Sequence, residues 1–200
     1  MFLKSPPALI LASTSAYRRA LLERLGLPFR TLSPGVDETP RPGEPAHSLV
    51  SRLALAKANA VAAAEPAAWV IGSDQAAIRD GEPDRILGKP GSVERCIAQL
   101  EASSGRVVEF LTAVAVVRHS DGATHQFLDS TRVRFRALDR ETIERYVTRE
   151  SPLDCAGGFR SEGLGIALFE AIESVDPTAL VGLPLIRLAA TLREVGFAAP

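Results

Sequence analysis

Short apolar runs alternate with amphipathic segments along most of the chain. Residues 8–12 form an apolar run typical of a buried strand, and residues 16–25 follow with leucines at helical spacing and Gly26 as the predicted helix end. The same criteria predict further helices over residues 47–64, 93–102, 140–148 (with Asp139 as its N-cap) and 185–195.

Strand-like runs lie between these helices. The predicted strands cover residues 29–32, 69–72, 107–117, 125–136 and 165–172, and residues 76–87 resemble a hairpin around DGEP. The turn SDGAT joins the two longest strands and is typical of a hairpin. Because a long hairpin interrupts the alternation of strands and helices, the pattern predicts an elongated α/β fold around a mixed sheet rather than a doubly wound one.

Composition adds constraints on domain number and partners. The chain has 200 residues, 46% of them hydrophobic, and a net charge of −1. We expect a single domain over residues 1–200, with no bulk attraction to nucleic acid or membrane. The apolar N-terminal run is too short for a signal peptide, which predicts a cytoplasmic location. Cys96 and Cys155 belong to no metal-binding pattern.

The segment STSAYRR, residues 13–19, places hydroxyl groups and two arginines where a strand passes into a helix. A helix N-terminus is partly positive, so Arg18 and Arg19 are unfavourable there unless an anion binds. The segment therefore indicates an anion site. The simpler alternative is a hydroxyl that only caps the helix, with both arginines solvated.

Two acidic segments could hold a metal ion. Asp74 in GSDQ follows the predicted strand over residues 69–72, where we expect an exposed carboxylate able to bind Mg²⁺ or accept a proton from water. Asp37 and Glu38 in VDETP could complete an oxygen-ligand site for Mg²⁺ or Mn²⁺. The alternatives are an Asp-capped turn and two solvated carboxylates.

Basic and glycine-rich segments complete the candidates. Lys89 in LGKP has an extended backbone before proline and could reach a cleft. Arg52 and Lys57 are five residues apart on one predicted helix, so we do not expect both in one site. A glycine-rich loop over residues 155–170, CAGGFRSEGLGIALFE, contains Glu162, and its glycines would permit close approach of the backbone to a ligand. The simpler alternative is an irregular entry to a hairpin.

The sequence lacks the residue patterns of several common catalytic and nucleotide-binding sites. The three histidines lie outside all these segments, so Ser-His-Asp or Cys-His catalysis is not indicated. The chain contains neither a P-loop GxxxxGK[ST] nor a GxGxxG turn. Positive groups, carboxylates and hydroxyls without histidine fit metal-assisted attack on a polyphosphate.

Taken together, LASTSxxRRxLL, VDETP, RLAxxKA, IGSDQ, GKP, CAGGFRSEGLGIALFE and ALVGLPL resemble the Maf family of nucleotide pyrophosphatases, from about residue 9 to residue 192. The resemblance implies an elongated α/β fold like that of inosine triphosphate pyrophosphatases, with two lobes around a central cleft. It also implies hydrolysis of a nucleoside triphosphate to the monophosphate and pyrophosphate, with Mg²⁺ or Mn²⁺. A homodimer is a family-level expectation.

The resemblance also assigns roles to residues. It implies a catalytic carboxylate at Asp74, which with Glu38 would hold metal, and phosphate-binding groups at Ser15, Arg18, Lys57 and Lys89. Base-selecting positions correspond to Tyr17, Gln75 and Glu162.

The segments CAG-x-F-x-SEG-x-GI and SDQ resemble the branch of the family that acts on 7-methyl-GTP and removes modified nucleotides. Ala16 and Tyr17 depart from the proline and tryptophan common in that branch, although tyrosine keeps an aromatic face. Two alternatives stay open: the dTTP/UTP branch, and a non-catalytic nucleotide-binding regulator of cell division.

Overall fold

The computed structural model describes residues 7–200, without the side chains of residues 83 and 84. The start of the N-terminal segment considered above, residues 1–6, lies outside the described residues. The strands are β1 (Leu9–Ala12), β2 (Arg30–Leu32), β3 (Trp69–Arg79), β4 (Glu82–Leu87), β5 (Val107–Arg118), β6 (Ala123–Phe135) and β7 (Phe169–Ser174). The α-helices are α1 (Ala16–Glu23), α2 (Ala46–Ala62), α3 (Val93–Ser103), α4 (Arg140–Glu150) and α5 (Leu185–Glu194).

The strands form a mixed sheet with the order β2-β1-β3-β5-β6-β7, and β4 pairs with β3. The β1 strand is parallel to both of its neighbours, whereas β3 through β7 pair antiparallel. The predicted α/β class and the long hairpin of β5 and β6 are confirmed. None of the helices within residues 7–200 is long and apolar enough to cross a bilayer.

The β3 strand pairs with two different strands along one edge. Its first residues pair with β1 in the register Leu9↔Trp69, and its last residues pair with β4, beginning at Ala77↔Leu87. Between them, residues 72–76 pair only with β5, on the opposite edge. The sheet therefore opens along this stretch, and two lobes diverge there, one containing β1 and β2 and the other containing β4.

The prediction that the strand stops at residue 72 is wrong. The β5 strand offers a continuous partner from Val70↔Val117 to Arg79↔Val108, so β3 continues through GSDQ. Asp74 consequently lies in the middle of a strand, and only 7% of its surface is exposed. The expectation of an exposed carboxylate at a strand end is also wrong.

Close packing of α2 on β3 sets the depth of the site. A Cβ atom at Gly72 would lie 2.2 Å from the backbone oxygen of Ala54 and 2.6 Å from the nitrogen of Ala58, both on α2. Only glycine fits this contact. Small residues along α2 thus let the helix approach the face of β3 that carries Asp74.

The strand predicted over residues 165–172 begins later. Leu164–Leu168 is a 3₁₀ turn, and β7 starts at Phe169. The turn folds tightly against the preceding loop, since a Cβ atom at Gly165 would lie 2.2 Å from the carbonyl oxygen of Arg160. Most helix ends differ from the prediction by one or two residues, and Asp139 caps α4 as predicted by accepting from the Thr142 amide.

Candidate active site

A cleft of about 650 Å³ opens beside the unpaired edge of β3. It receives residues from both lobes, from α2 and from the loop after α4. All nine site residues predicted from the sequence line it: Ser15, Tyr17, Arg18, Glu38, Lys57, Asp74, Gln75, Lys89 and Glu162.

At one side of the cleft, α1 presents Arg18. Its Nε donates to the Gly182 carbonyl at 3.0 Å, and that oxygen also accepts from the Ser73 hydroxyl at 2.9 Å. The Ser15 hydroxyl caps α1 by accepting from the Arg18 amide, and it also lines the cleft, as does Arg18. Arg19 points elsewhere and pairs with Glu23.

The central feature is a lysine between two carboxylates. Lys57 Nζ lies 2.6 Å from Asp74 Oδ1 and 2.9 Å from Glu38 Oε1, and Lys57 is only 5% exposed. Asp74 reaches Lys57 because the even-numbered residues of β3 face α2. Asp37, next to Glu38, instead accepts hydrogen bonds from Thr39.

Arg52 lies apart from this group. Its guanidinium forms two 2.6 Å hydrogen bonds with Glu44 and does not line the cleft. The prediction that Arg52 and Lys57 do not share a site is confirmed.

Opposing effects act on the Asp74 carboxyl. Burial raises its pKa above the ordinary value, while the neighbouring Lys57 ammonium and then Arg18 lower it. Burial also lowers the pKa of Arg18, against the attraction of Asp74 and Glu38. The carboxylate is thus held in a poorly solvated position between cations, where it is a stronger base than an exposed aspartate.

The donor set fits a hard divalent cation. Asp74 and Glu38 supply carboxylate oxygens close enough to share one ammonium, and Mg²⁺ commonly binds one or two carboxylates together with substrate phosphates and waters. Among the side chains that the structure describes, no cluster of three or more His, Cys, Asp or Glu could hold a metal alone. The residues therefore fit a cation that a polyphosphate brings with it.

The other end of the cleft is aromatic and polar. The Arg160 guanidinium lies over the Tyr17 ring, 5.8 Å from its centroid, and donates to Asp154 at 3.1 Å. Burial raises the pKa of Tyr17 to about 12, so its hydroxyl stays protonated. Burial also raises the pKa of the Cys155 thiol, which disfavours the nucleophilic thiolate. Tyr17 thus lines the cleft rather than the hydrophobic core.

Glu162 is exposed and lies in the loop that also carries Arg160. Its carboxylate accepts from the Ser161 hydroxyl at 3.1 Å and faces solvent at the rim of the cleft. The carboxylate therefore keeps acceptor capacity for a ligand.

Gln75 projects from the opposite face of β3 to Asp74. Its Nε2 lies 2.9 Å from the Thr112 hydroxyl, 3.0 Å from the Ala179 carbonyl and 3.1 Å from the Leu180 carbonyl. These contacts tie β3 to β5 and to the turn before α5.

Sequence reasoning missed the groups that hold the predicted residues in place. Gly182 has a φ of +110°, and its carbonyl accepts a hydrogen bond from Arg18. The glycine in the segment ALVGLPL was the one sequence feature that could have indicated this turn. Arg160 stands two residues before Glu162, but nothing in the sequence pairs it with Tyr17. Thr112 lies in an apolar strand with no local cue.

The arrangement of the fold and the site can be compared with known proteins. A solved structure of the Ham1 protein from Staphylococcus aureus superposes with a TM-score of 0.51 at 16% identity, covering 94% of this chain and 99% of that one. This likeness concerns the fold alone and confirms the expected fold class. A family model described as Maf-like protein matches residues 8–195. The chain belongs to the Maf family.

Relatives within the Maf family align over nearly the whole chain. A protein from Xanthomonas axonopodis pv. citri is 58% identical over 97% of this chain and 100% of its own length. A protein from Alkalilimnicola ehrlichii is 55% identical over 96% of this chain and 94% of its own. Both are named 7-methyl-GTP pyrophosphatase. The family resemblance drawn from the sequence motifs is confirmed.

Proposed function

We propose that this Maf protein is a nucleoside triphosphate pyrophosphatase that hydrolyses 7-methyl-GTP to its monophosphate and pyrophosphate, and so removes a modified nucleotide. The observation that carries the proposal is the Asp74–Lys57–Glu38 contact in a cleft with Arg18 beside it. The names of the relatives support the same substrate. The proposal includes a Mg²⁺ or Mn²⁺ cofactor, one domain over residues 1–200, a cytosolic location and a homodimer.

Charge neutralisation is the first task of the site. A nucleoside triphosphate carries several negative charges, and Arg18, Lys57 and Lys89 bring three positive ones to the same cleft. Hydrogen bonds from charged donors to phosphate oxygens are short and strong. The Gly182 carbonyl holds Arg18 in place, so little reorganisation is needed when the phosphates bind.

The hydrolytic step requires a base and an electrophile. Water attacks the α-phosphorus, its oxygen forms the new P–O bond, and the bond to the bridging oxygen breaks. Pyrophosphate leaves with that electron pair, while Asp74 takes the proton that water loses. A divalent cation held by Asp74 and Glu38 would supply additional charge stabilisation at the phosphates. Lys57 keeps Asp74 ionised in its buried position.

The base end of the cleft fits a methylated guanine. Guanine presents N1–H and an exocyclic amine side by side, and the Glu162 carboxylate can accept from both. Methylation at N7 makes the ring cationic, and the Tyr17 face then adds a cation–π attraction of roughly 0.5–2 kcal/mol. Uracil and thymine lack paired donors, which makes the dTTP/UTP alternative less favourable.

A panel of nucleotides tests the proposal. Purified protein is incubated with Mg²⁺ or Mn²⁺ and 7-methyl-GTP, GTP, UTP or dTTP, and pyrophosphate release gives kcat/KM for each. We expect 7-methyl-GTP to be best, by about tenfold or more over GTP. Glu162→Gln should narrow the gap between guanine and pyrimidine nucleotides, whereas Glu170→Gln, an exposed change outside the cleft, should not.

Three outcomes would contradict this proposal. Equal or better efficiency on UTP and dTTP would move the protein to the other branch of the family. Nucleotide binding without pyrophosphate release would favour the regulatory alternative. Release of inorganic phosphate instead of pyrophosphate would place the attack at the wrong phosphorus.

A further inference from the structure

The Gln75 amide is held in one orientation by groups that can only accept. The Ala179 and Leu180 carbonyls lie 3.0 and 3.1 Å from one end of the amide, and a carbonyl oxygen has no proton to give. The nitrogen of Gln75 must therefore face them. The opposite orientation would place its oxygen against two other oxygens, without a donor between them.

The Thr112 hydroxyl also constrains the orientation of the Gln75 amide. It lies opposite Gln75 in the β3–β5 ladder, and its side chain has no exposed surface. Its hydroxyl donates its single proton to the Ala179 carbonyl at 3.0 Å, and so it accepts from Gln75 Nε2 at 2.9 Å. The hydrogen bonds run in one direction, from Gln75 through Thr112 to Ala179.

Because the Gln75 nitrogen is used in these contacts, its amide oxygen Oε1 makes none of them. Gln75 lines the cleft with its nitrogen turned away, so Oε1 is the amide atom that remains for a ligand. Within residues 7–200 no protein group donates to this oxygen, and it is not among the buried unpartnered atoms. The cleft thus offers a second acceptor besides the Glu162 carboxylate.

We propose that Thr112 is a positioning residue for base selection, and that it holds Gln75 so that Oε1 accepts an N–H of the exocyclic amine of guanine. The inference rests on the proposed function. Guanine has three N–H donors on this edge, and a carboxylate at Glu162 can take two of them. Gln75 takes the remaining one, and hypoxanthine lacks both N–H groups of this amine.

The test compares two substrates that differ only in this amine, 7-methyl-GTP and 7-methyl-ITP. The wild type should favour 7-methyl-GTP by more than tenfold in kcat/KM, because 7-methyl-ITP loses one hydrogen bond to Gln75 and one to Glu162, and each is worth up to about tenfold. Thr112→Val removes the hydroxyl and places a methyl group where a 2.9 Å hydrogen bond now stands, too close for carbon and nitrogen. It should lower only the value for 7-methyl-GTP.

Matched variants separate positioning from stability. Thr112→Ser keeps the hydroxyl and should retain the preference. Thr191→Val removes another buried hydroxyl, on α5 and outside the cleft, and should leave the ratio unchanged. Gln75→Met removes the amide without touching Thr112, and should reduce the preference to the part that Glu162 supplies, even if Thr112→Val folds poorly. Melting temperatures identify variants that fold.

Each outcome of this test either supports or overturns the role of Thr112. A smaller preference in Thr112→Val and Gln75→Met, caused by a larger fall for 7-methyl-GTP than for 7-methyl-ITP, supports the inference. An unchanged ratio in a folded variant, or an equal fall for both substrates, overturns it while leaving the proposed function standing. A wild type that prefers UTP or dTTP overturns both, and that failure is visible before any variant is made.

Discussion

Lys57 Nζ lies 2.6 Å from Asp74 Oδ1, and both side chains are almost entirely removed from solvent. A buried ion pair of this kind stabilises a protein weakly, because the desolvation of both charges offsets much of their attraction. Its value here is chemical, since it keeps an ionised carboxylate in a site where burial favours the neutral acid.

Asp74→Asn should reduce kcat by roughly 10²–10⁴-fold, the range expected when a positioned base is lost. The fold should persist, because Lys57 keeps Glu38 as its partner at 2.9 Å. Steady-state kinetics and a thermal melt measure the two effects. Asp37→Asn is the matched control, since Asp37 lies outside the cleft and its turn to Thr39 tolerates an amide. Near-normal turnover in folded Asp74→Asn would remove Asp74 from the mechanism.

The pKa of Asp74 should lie above its ordinary 3.8 in metal-free protein, because burial is the largest influence on it. Lys57→Met removes the main opposing charge and should raise the pKa further, so that Asp74 takes up its proton at a higher pH. Carboxyl NMR titration measures both values. Asp121, whose pKa Arg118 lowers to about 2, should not change. A fall in the Asp74 pKa in Lys57→Met would contradict the assigned coupling.

Arg18→Ala and Lys89→Ala should lower kcat/KM by roughly tenfold to a hundredfold for every triphosphate, as expected for losing a charged hydrogen bond. Phosphate contacts carry no information about the base, so the order of substrates should not change. Arg19→Ala provides the control, because Arg19 pairs with Glu23 on the exposed side of α1. A changed order of bases with the overall rate spared would show that either residue contacts the base.

Arg160→Gln should increase the ratio of 7-methyl-GTP to GTP efficiency by up to about tenfold. Arg160 lies over Tyr17 and places a positive charge near the site proposed for a cationic base. Its removal lessens repulsion and leaves Asp154 without its 3.1 Å partner, and both effects favour the cationic ring. Arg187→Gln, which removes a guanidinium over Phe127 outside the cleft, should not alter the ratio. A lower ratio in Arg160→Gln would mean that Arg160 supports base binding.

Gly72→Ala should destabilise the protein by about 3 kcal/mol or more, because its Cβ would lie 2.2 Å from the Ala54 oxygen and force α2 away from β3. Gly88→Ala has open space around its Cβ and should be tolerated. Urea unfolding of both variants measures the difference. Equal stability would show that α2 can move at little cost.

Much of the site could be predicted from the sequence because its residues occur in short local motifs. STSAYRR, VDETP, GSDQ and LGKP each carry at least one residue that lines the cleft. The strand and helix patterns also gave the mixed sheet and its long hairpin. The hydrophobic periodicity could not predict where β3 ends. The end of the strand depends on pairing with β5 rather than on the alternation of polar and apolar residues within β3.

Contacts between distant residues account for the rest. Gly182 accepts from Arg18, which is 164 residues away, and Ala179 accepts from Gln75 across 104 residues. No local pattern reports such pairs. The burial of Asp74 was mispredicted for the same reason, because the side chains that cover it come from α2 and from the loop carrying Glu38.

The double pairing of β3 makes the strand a fixed pivot between the lobes. Rotation of one lobe against the other would bend the molecule about residues 72–76, where one edge is free. Asp74 would stay in register with Ala113 on β5, and Arg18 would stay near it through the Gly182 carbonyl that it shares with Ser73, while Lys89 after β4 would travel with its lobe. A substrate that drew the cleft shut would thus bring the Lys89 ammonium to a stationary carboxylate.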